Sequence, residues 1–455
     1  MNPYDFVAAH QDEFLEDLKD LLRIPSISTM SEHKADVQRA AEWLKAHFSS
    51  IGMTRAELFE TPGNPIVYAE WLGAPDAPTV LIYGHYDVQP ADDADNLWLS
   101  DPFEPEVRNG NLYARGATDD KGQTFTQIKA VQSLLASGQM PVNVKFVVEG
   151  EEESGSVQLY PFVEQHADLL AADVIVVSDT GILGIDRPSI VVGLRGITYV
   201  EIEVRGPSHD LHSGMYGGVV HNPAQVLTDL LSAMHDADGR VTIPGFYDKV
   251  QELSPAERAE LAKTPFSLER LHNETGVSTP WGEPGYELHE RLGVRPTLEI
   301  NGLVSGWTGE GGKTVLPSKA LAKVSCRLVP AQDPDEIERL IRQFVADHTP
   351  DTVTSEVRGL HNGLWAVIDP DSPYMRAAAR AYEFGYGARP VYMREGGSIP
   401  VIGTFQKTLN APVIMMGFGL PDDNLHAPNE KYSLASFHRG IKTAIKFFEE
   451  ISQFD

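Results

Sequence analysis

The chain has 455 residues, 42% hydrophobic and 22% charged, a composition that excludes a disordered or low-complexity segment and leaves room for two domains and a large core. Its formal net charge of −28 repels nucleic acid and anionic membrane surfaces, so neither is expected as a partner. A single cysteine, Cys326, excludes an intrachain disulfide, and the opening MNPYDFVAAHQDEFLEDLKDLL has neither a basic start nor an unbroken apolar run, so the expectation is a cytoplasmic protein without leader or anchor.

In chain order, Phe6, Phe14, Leu15, Leu18, Leu21 and Leu22 predict one amphipathic helix ended by Pro25, and Ala40, Ala41, Leu44 and Phe48 predict a second, over 37–50, closed by Gly52. Strands follow at 66–72 and 79–83, the latter running into Gly84-His85-Tyr86-Asp87. A helix starts near Asp119 or Asp120, with Phe125, Ile128, Val131 and Leu135 inward, and ends at Gly138.

The next stretch, VNVKFVVEGEEESGS over 142–156, is an apolar, β-branched run that stops in Glu149, Glu151, Glu152 and Glu153. Carboxylates crowded at the tip of a buried strand repel one another unless cations sit between them, whereas in a solvated turn they need none. Another buried strand, 173–178, ends at Asp179. Alternating helices and apolar strands predict a mostly parallel sheet, and ligands of such sheets gather at the strands' carboxyl ends. His85 with Asp87, the glutamate cluster and Asp179 all fall at such ends.

The texture then changes. Strands at 198–204, 297–303, 321–328 and 352–358, with helices at 223–235 and 335–348, give the order β-α-β-β-α-β of a small ferredoxin-like domain. Asn222 before Pro223 is a good N-cap, and Pro334 precedes the second helix comparably. Residues 239–295 are an insertion too long for a bare loop. From 373 the α/β texture returns, with a helix at 374–384, a strand at 412–416 and a last helix carrying Phe437, Ile441, Ile445 and Phe448. The expected organisation is a larger α/β domain, residues 1–195 and 373–455, interrupted by a smaller inserted domain over 196–372.

Taken singly, each polar site has two readings. His85 and Asp87, two apart on extended backbone, leave one face, which suits either a carboxylate–histidine–metal arrangement or a plain hydrogen-bonded pair. Asp119-Asp120-Lys121-Gly122 and Asp179 read equally as helix caps. His209 and His212 could start a zinc site but have no further ligand pair nearby, and Gly312-Lys313-Thr314 is not a phosphate loop, because Trp307 stands where the first glycine is required.

Together the segments change these odds. GHYDVQP (84–90), RGATDDKG (115–122), EGEEESGS (149–156), Ser178-Asp179, HDLHSG (209–214), REGGSIP (394–400) and GFGLPDDNLHAPNE (417–430) occur in one order along the whole chain. The series resembles the dinuclear metallopeptidases that include carnosinases, cytosolic non-specific dipeptidases, succinyl-diaminopimelate desuccinylases, aminoacylases and glutamate carboxypeptidases, and is most similar to the dipeptidase branch. The resemblance implies that the larger domain is catalytic and the inserted one a lid, and that Asp119 bridges two metal ions, with His85 and Asp179 completing one and Glu153 and His426 the other. It makes Glu152 the general base acting on a metal-bridging hydroxide, puts Asp87 behind His85, and places a cis peptide after Asp119. Imidazole and carboxylate ligands suit Zn²⁺, with Mn²⁺ or Co²⁺ also compatible.

The resemblance further implies that His212 reaches the partner subunit's active site to stabilise the oxyanion, which requires a homodimer formed through the lid. Thr314 and Arg327 match lid positions on the substrate's carboxylate side, and Gly397 and Ser398 lie in a turn that can present backbone N–H groups to an anion. The implied reaction is hydrolysis of dipeptides or short peptides with a free C-terminal carboxylate. An N-acyl amino acid deacylase would use the same metal chemistry, and a catalytically silent binding protein is the rival from outside enzymology.

Overall fold

The computed structural model describes residues 1–91, 96–264, 266–397 and 399–454. The chain divides into two compact units: the first is Met1–Val192 with Ile368–Met393 and the C-terminal stretch from Thr404, and the second is Gly193–Val367 with Arg394–Gly403. Among the described residues, no helix is long and apolar enough to cross a membrane.

In the first unit, the expected single N-terminal helix is two, Pro3–Ala9 and Gln11–Leu22, because the backbone turns at His10 (φ −119°, ψ 20°). The His10 ring stacks on Phe6 at 3.9 Å and its Nδ1 donates to the Phe6 carbonyl over 2.8 Å, so a local side-chain bond accompanies the break. Helix Lys34–Ser50 buries Val37, Ala40, Ala41, Leu44 and Phe48, as their spacing predicts. Gly52 behind it takes φ +96°, a left-handed turn that costs glycine little.

Arg55–Phe59, Ile66–Trp71, Asn143–Glu149, Thr79–His85, Val174–Val177, Val413–Met415 and Ser189–Leu194 lie side by side, in that order, in a large sheet. Its centre is parallel: Thr79–His85 pairs with Asn143–Glu149 on one side and Val174–Val177 on the other, and Val413–Met415 continues the series. The outer strands run antiparallel. Val80, Leu81, Ile82, Tyr83, Val144, Phe146, Val147, Val148, Val174, Ile175, Val176 and Val177 are fully buried, as in a sheet covered on both faces. The four parallel strands therefore open their carboxyl ends along one edge.

Helix Lys121–Ala136 is buried on nearly every side from Lys121 to Val131, more than the predicted single stripe. Strand Thr79–His85, the N-terminal helices and the final helix Leu434–Ile451 all pack against it, and Leu134 rather than Leu135 is in the core. A fully enclosed helix carries no amphipathic signal to read.

The second unit holds a four-stranded antiparallel sheet in the order Thr297–Ser305, Lys319–Leu328, Gly196–Arg205, Thr354–Gly363. Along the chain its elements run strand, helix Pro223–Ala233, strand, strand, helix Pro334–His348, strand. Asn222 caps the first helix through Ala224 N at 2.9 Å, and Asp333 caps the second through Asp335 N at 2.9 Å, each with proline in the first turn. Val200, Ile202, Val204 and Val324 from the sheet meet Leu227, Leu230, Ile341 and Phe344 from the helices in one core. The insertion folds as short helices Pro255–Leu261, Leu268–Thr275 and Leu288–Gly293, anchored by the buried Arg295–Glu283 pair (2.6 and 3.0 Å).

Candidate metal centre

Each parallel strand of the first unit delivers a polar residue at or just beyond its carboxyl end. Thr79–His85 ends in His85; Asn143–Glu149 leads into the 3₁₀ turn Glu152–Ser154; Val174–Val177 leads to Asp179; and the loop after Val413–Met415 carries His426 at φ +58°. Asp119 arrives from the turn before helix Lys121–Ala136, and its peptide bond to Asp120 is cis.

Two groups of ligand-type side chains result. His85, Asp119 and Asp179 form one, and Asp119, Glu153 and His426 form the other, the donor atoms of each lying within 4.8 Å of one another. Asp119 belongs to both: Oδ1 is 3.1 Å from His85 Nε2 and Oδ2 is 2.8 Å from His426 Nε2. Glu153 Oε2 lies 3.4 Å from His426 Nε2. These are the residues that the sequence singled out as metal ligands.

The charges of this cluster are poorly compensated by protein alone. Burial, then the Asp119 charge, pushes the Glu153 carboxyl up to about 8. Burial, then Asp119 and Asp120, pushes Asp179 well above the usual carboxylate range, and burial raises Glu152 with the help of Asp87 and Asp119. Burial also disfavours the Asp119 carboxylate, but hydrogen bonds from His426 and His85 outweigh it and hold that group below the ordinary range. Acids that resist ionisation while facing imidazole nitrogens are what divalent cations would relieve, and the mixed nitrogen and oxygen donor set fits Zn²⁺ or a neighbouring first-row ion.

The surrounding hydrogen bonds orient the donors. His85 Nδ1 lies 3.0 Å from the Asp87 carbonyl, which can only accept, so Nδ1 donates there and Nε2 is the nitrogen turned to Asp119; a bound ion would take the Nε2 lone pair in place of its proton. The Asp87 carboxylate, 3.4 Å from the same nitrogen, accepts from Ser28 Oγ (2.6 Å), Glu152 N (3.2 Å) and Glu153 N (3.1 Å). Gln89 Nε2 donates to Glu153 Oε2 over 2.7 Å, a contact sequence reasoning missed although Gln89 stands inside the GHYDVQP segment. Asp120 occupies the helix N-cap, yet its carboxylate accepts from His85 N (3.2 Å) and Thr124 Oγ1 (2.6 Å) instead of capping.

The four acids after Val148 separate by role. Glu149 turns inward to accept from Tyr83 OH (2.7 Å) and Ser156 Oγ (2.8 Å), while Glu151 accepts Asn64 N (2.9 Å) and Gln158 N (3.2 Å). Glu152 and Glu153 face the histidines and Asp119.

The remaining predicted residues belong to the second unit, where they form two groups. His212 pairs across from Val315, and Ser213 N donates to the Thr314 carbonyl over 3.0 Å, so a short two-stranded antiparallel ladder brings His212 and Thr314 together. Exposed His212 accepts Gly214 N on Nδ1 at 3.0 Å, which leaves the ring proton on Nε2. The other group gathers around Arg195, which donates through its backbone N to the Gly397 carbonyl (3.2 Å) and through Nε to the Gly396 carbonyl (3.1 Å). Burial and the neighbouring Arg327 charge depress Arg195 to about 10, and burial with the same Arg327 charge lowers His361. Arg195 and His361 went unread in the sequence, since only the folded strands bring them beside Arg327. Ser398 lies outside the described residues. His209 contacts Ser208 and joins neither ligand group among the described residues.

Comparison with known proteins identifies the family. The sequence model of the family described as "Peptidase family M20/M25/M40" matches residues 81–450. The chain is 35% identical to the Cys-Gly metallodipeptidase dug1 of Schizosaccharomyces pombe, over 99% of this chain and 98% of that protein. It is 34% identical to the Beta-Ala-His dipeptidase of Homo sapiens, over 99% and 92% respectively. Among solved structures, the M20 family metallo-carboxypeptidase Sso-CP2 from Sulfolobus solfataricus superposes with a TM-score of 0.89 at 33% identity, covering 97% of this chain and 99% of that one.

Proposed function

This chain belongs to peptidase family M20/M25/M40, and from that membership and the shared carboxylate we infer that it is a dinuclear metallopeptidase that hydrolyses dipeptides. The observation that carries the reading is Asp119, whose two oxygens face two histidines from opposite ends of the chain. His85, Asp119 and Asp179 would hold one divalent ion and Asp119, Glu153 and His426 the other, with Zn²⁺ favoured by the donor set. When bound, such ions polarise the scissile carbonyl and make water acidic enough to attack at neutral pH.

The chain's own residues do the rest. Glu152, which burial makes a better proton acceptor than an exposed glutamate, takes the proton of the attacking water and returns it to the leaving amine. Asp87 holds His85 and the Glu152–Glu153 turn in register. In the second unit, which we read as an inserted ferredoxin-like lid over residues 196–372, Arg327 offers a bidentate partner for a C-terminal carboxylate, and the backbone at Gly397 and Ser398 serves the same anion. His361 beside Arg327, kept neutral by burial and by the Arg327 charge, adds a polar ring to that pole without adding charge. His212, with Thr314 beside it on the two-stranded ladder, donates from Nε2 to the developing oxyanion in the partner of a homodimer formed through the lid.

The test is a panel of dipeptides, their C-terminal amides and N-acyl amino acids, assayed after metal analysis. Dipeptides should be cleaved and amides should not; equal rates on acid and amide would remove Arg327 from the recognition role, and faster turnover of N-acyl amino acids would reassign the enzyme as a deacylase.

A further inference from the structure

Glu430 lies four residues beyond His426 and is fully buried. Its carboxylate joins neither ligand group. It accepts four hydrogen bonds instead: from Arg115 NH1 (2.7 Å) and Gly116 N (2.9 Å) on Oε2, and from Thr118 N (3.0 Å) and Asp119 N (3.1 Å) on Oε1. The Glu430 carbonyl also accepts Ala114 N at 3.1 Å. The whole turn that delivers Asp119 is thus wrapped around one side chain of the His426 loop.

Neighbouring contacts reinforce this junction. Thr118 Oγ1 donates to Asp423 Oδ2 (3.0 Å) and the Lys431 carbonyl (2.6 Å), and Asn429 bonds Leu97 O (2.7 Å) and Leu99 N (2.9 Å). Within the loop, Asn424, His426 and Asn429 take φ of 57°, 58° and 60°. Asparagine adopts this region readily, whereas at His426 it has to be held by the surrounding contacts. A simple buried ion pair with Arg115 would account for one of the four bonds. The other three are backbone N–H groups of the turn that presents Asp119, and only an acceptor with two charged oxygens can satisfy that set.

The geometry points to Glu430 as a positioning residue that templates the Arg115–Asp119 turn and so fixes the shared carboxylate of Asp119 against His426. This rests on the reading that both ligand groups bind metal. Because Asp119 belongs to both groups, a shift of its turn should weaken both ions together. Glutamine cannot substitute: its amide N–H₂ would face backbone N–H donors and leave them without an acceptor.

The experiment compares the full-length wild type with Glu430→Gln and Glu430→Asp, each loaded with Co²⁺. Cobalt stoichiometry and affinity are measured by chelator competition, the visible absorption spectrum is recorded, kcat and KM are measured on a dipeptide, and the demetallated proteins are melted. Glu430→Gln should bind both ions about 10- to 100-fold more weakly, the usual effect of losing an outer-shell partner, with an altered cobalt spectrum, lower kcat and KM within about twofold. Wild-type cobalt affinity and spectrum in a variant that merely melts earlier would overturn the proposal and leave Glu430 a structural ion pair. If Glu430→Gln fails to fold, Glu430→Asp decides by the same two measures, since it keeps the charge but falls one methylene short of the turn. A wild type that takes up fewer than two ions would instead overturn the metal-site reading itself.

Discussion

The backbone N–H of Glu153 donates to Asp87 Oδ2 over 3.1 Å, and that of Glu152 to Asp87 Oδ1 over 3.2 Å. The carboxylate behind His85 therefore also holds the turn of Glu152, the proposed base, and Glu153, a member of the other ligand group. Removing it should disturb both groups at once. Asp87→Ala is expected to lower metal affinity by about 10- to 100-fold at both positions, whereas a residue acting on His85 alone would weaken one. Stepwise chelator titration separates these outcomes.

Glu152, the proposed general base, feels the charges of His85, Asp119 and His426 but joins neither ligand group among the described residues. Glu152→Gln should accordingly retain both metal ions and lose catalysis by ~10² or more, because only the proton acceptor is gone. Near-normal turnover in this variant would mean that the base is another residue. Asp119→Ala is the contrasting control, expected to lose both ions.

The positions of several proposed ligands could be read before folding because they sit where the pattern of the chain breaks, although their assignment as ligands came from the resemblance. His85, Glu153 and Asp179 follow runs of buried β-branched and aromatic residues, and such runs mark strand ends in a parallel sheet. What stayed hidden depends on long-range partners. Nothing in EGEEES tells Glu149, which turns to Tyr83, from Glu152 and Glu153, which face the metal groups, since a strand buried on both faces shows no inside and outside. Asp120 looked like a cap until His85 and Thr124 claimed its carboxylate, and the strand Val391–Glu395 carries too little apolar periodicity to stand out. The grouping of Arg195 and His361 with Arg327 likewise exists only once distant strands pair.

The pH response of the metal-free protein follows from the direction of its shifts. Burial raises Glu149 to about 8, burial and then Asp119 raise Glu153 to about 8, and the Asp119 hydrogen bond raises His426 to about 9. Each group binds protons more tightly folded than unfolded, so each stabilises the fold at low pH and loses that contribution as pH rises through its folded value. Burial lowers Lys121 to about 7, which opposes the trend above neutrality. Demetallated protein should melt at a lower temperature at pH 8 than at pH 6. Bound Zn²⁺, which requires deprotonated ligands, should reduce or reverse that difference. A metal-free melting temperature that climbs from pH 6 to pH 8 would contradict the account, and Glu149→Gln should remove part of the slope.

The last expectation is that the active site is completed across a dimer. His212 is exposed, and with Nδ1 occupied by Gly214 N its remaining donor is Nε2–H, the group an oxyanion needs. The proposed metal ligands and base come from one unit of the chain while His212 and Thr314 belong to the other, so a C₂ pair could exchange these contributions symmetrically. His212→Ala should lose ~10² to 10³ in kcat, the usual cost of deleting one oxyanion donor, with metal content and dimerisation intact. Complementation gives the decisive reading: mixing His212→Ala with Glu152→Gln, both inactive alone, creates in each exchanged dimer one site with Glu152 from one chain and His212 from its partner. Activity should return in proportion to the mixed dimers formed. If subunits demonstrably exchange and no activity returns, His212 acts within its own chain or only shapes its local strand pairing.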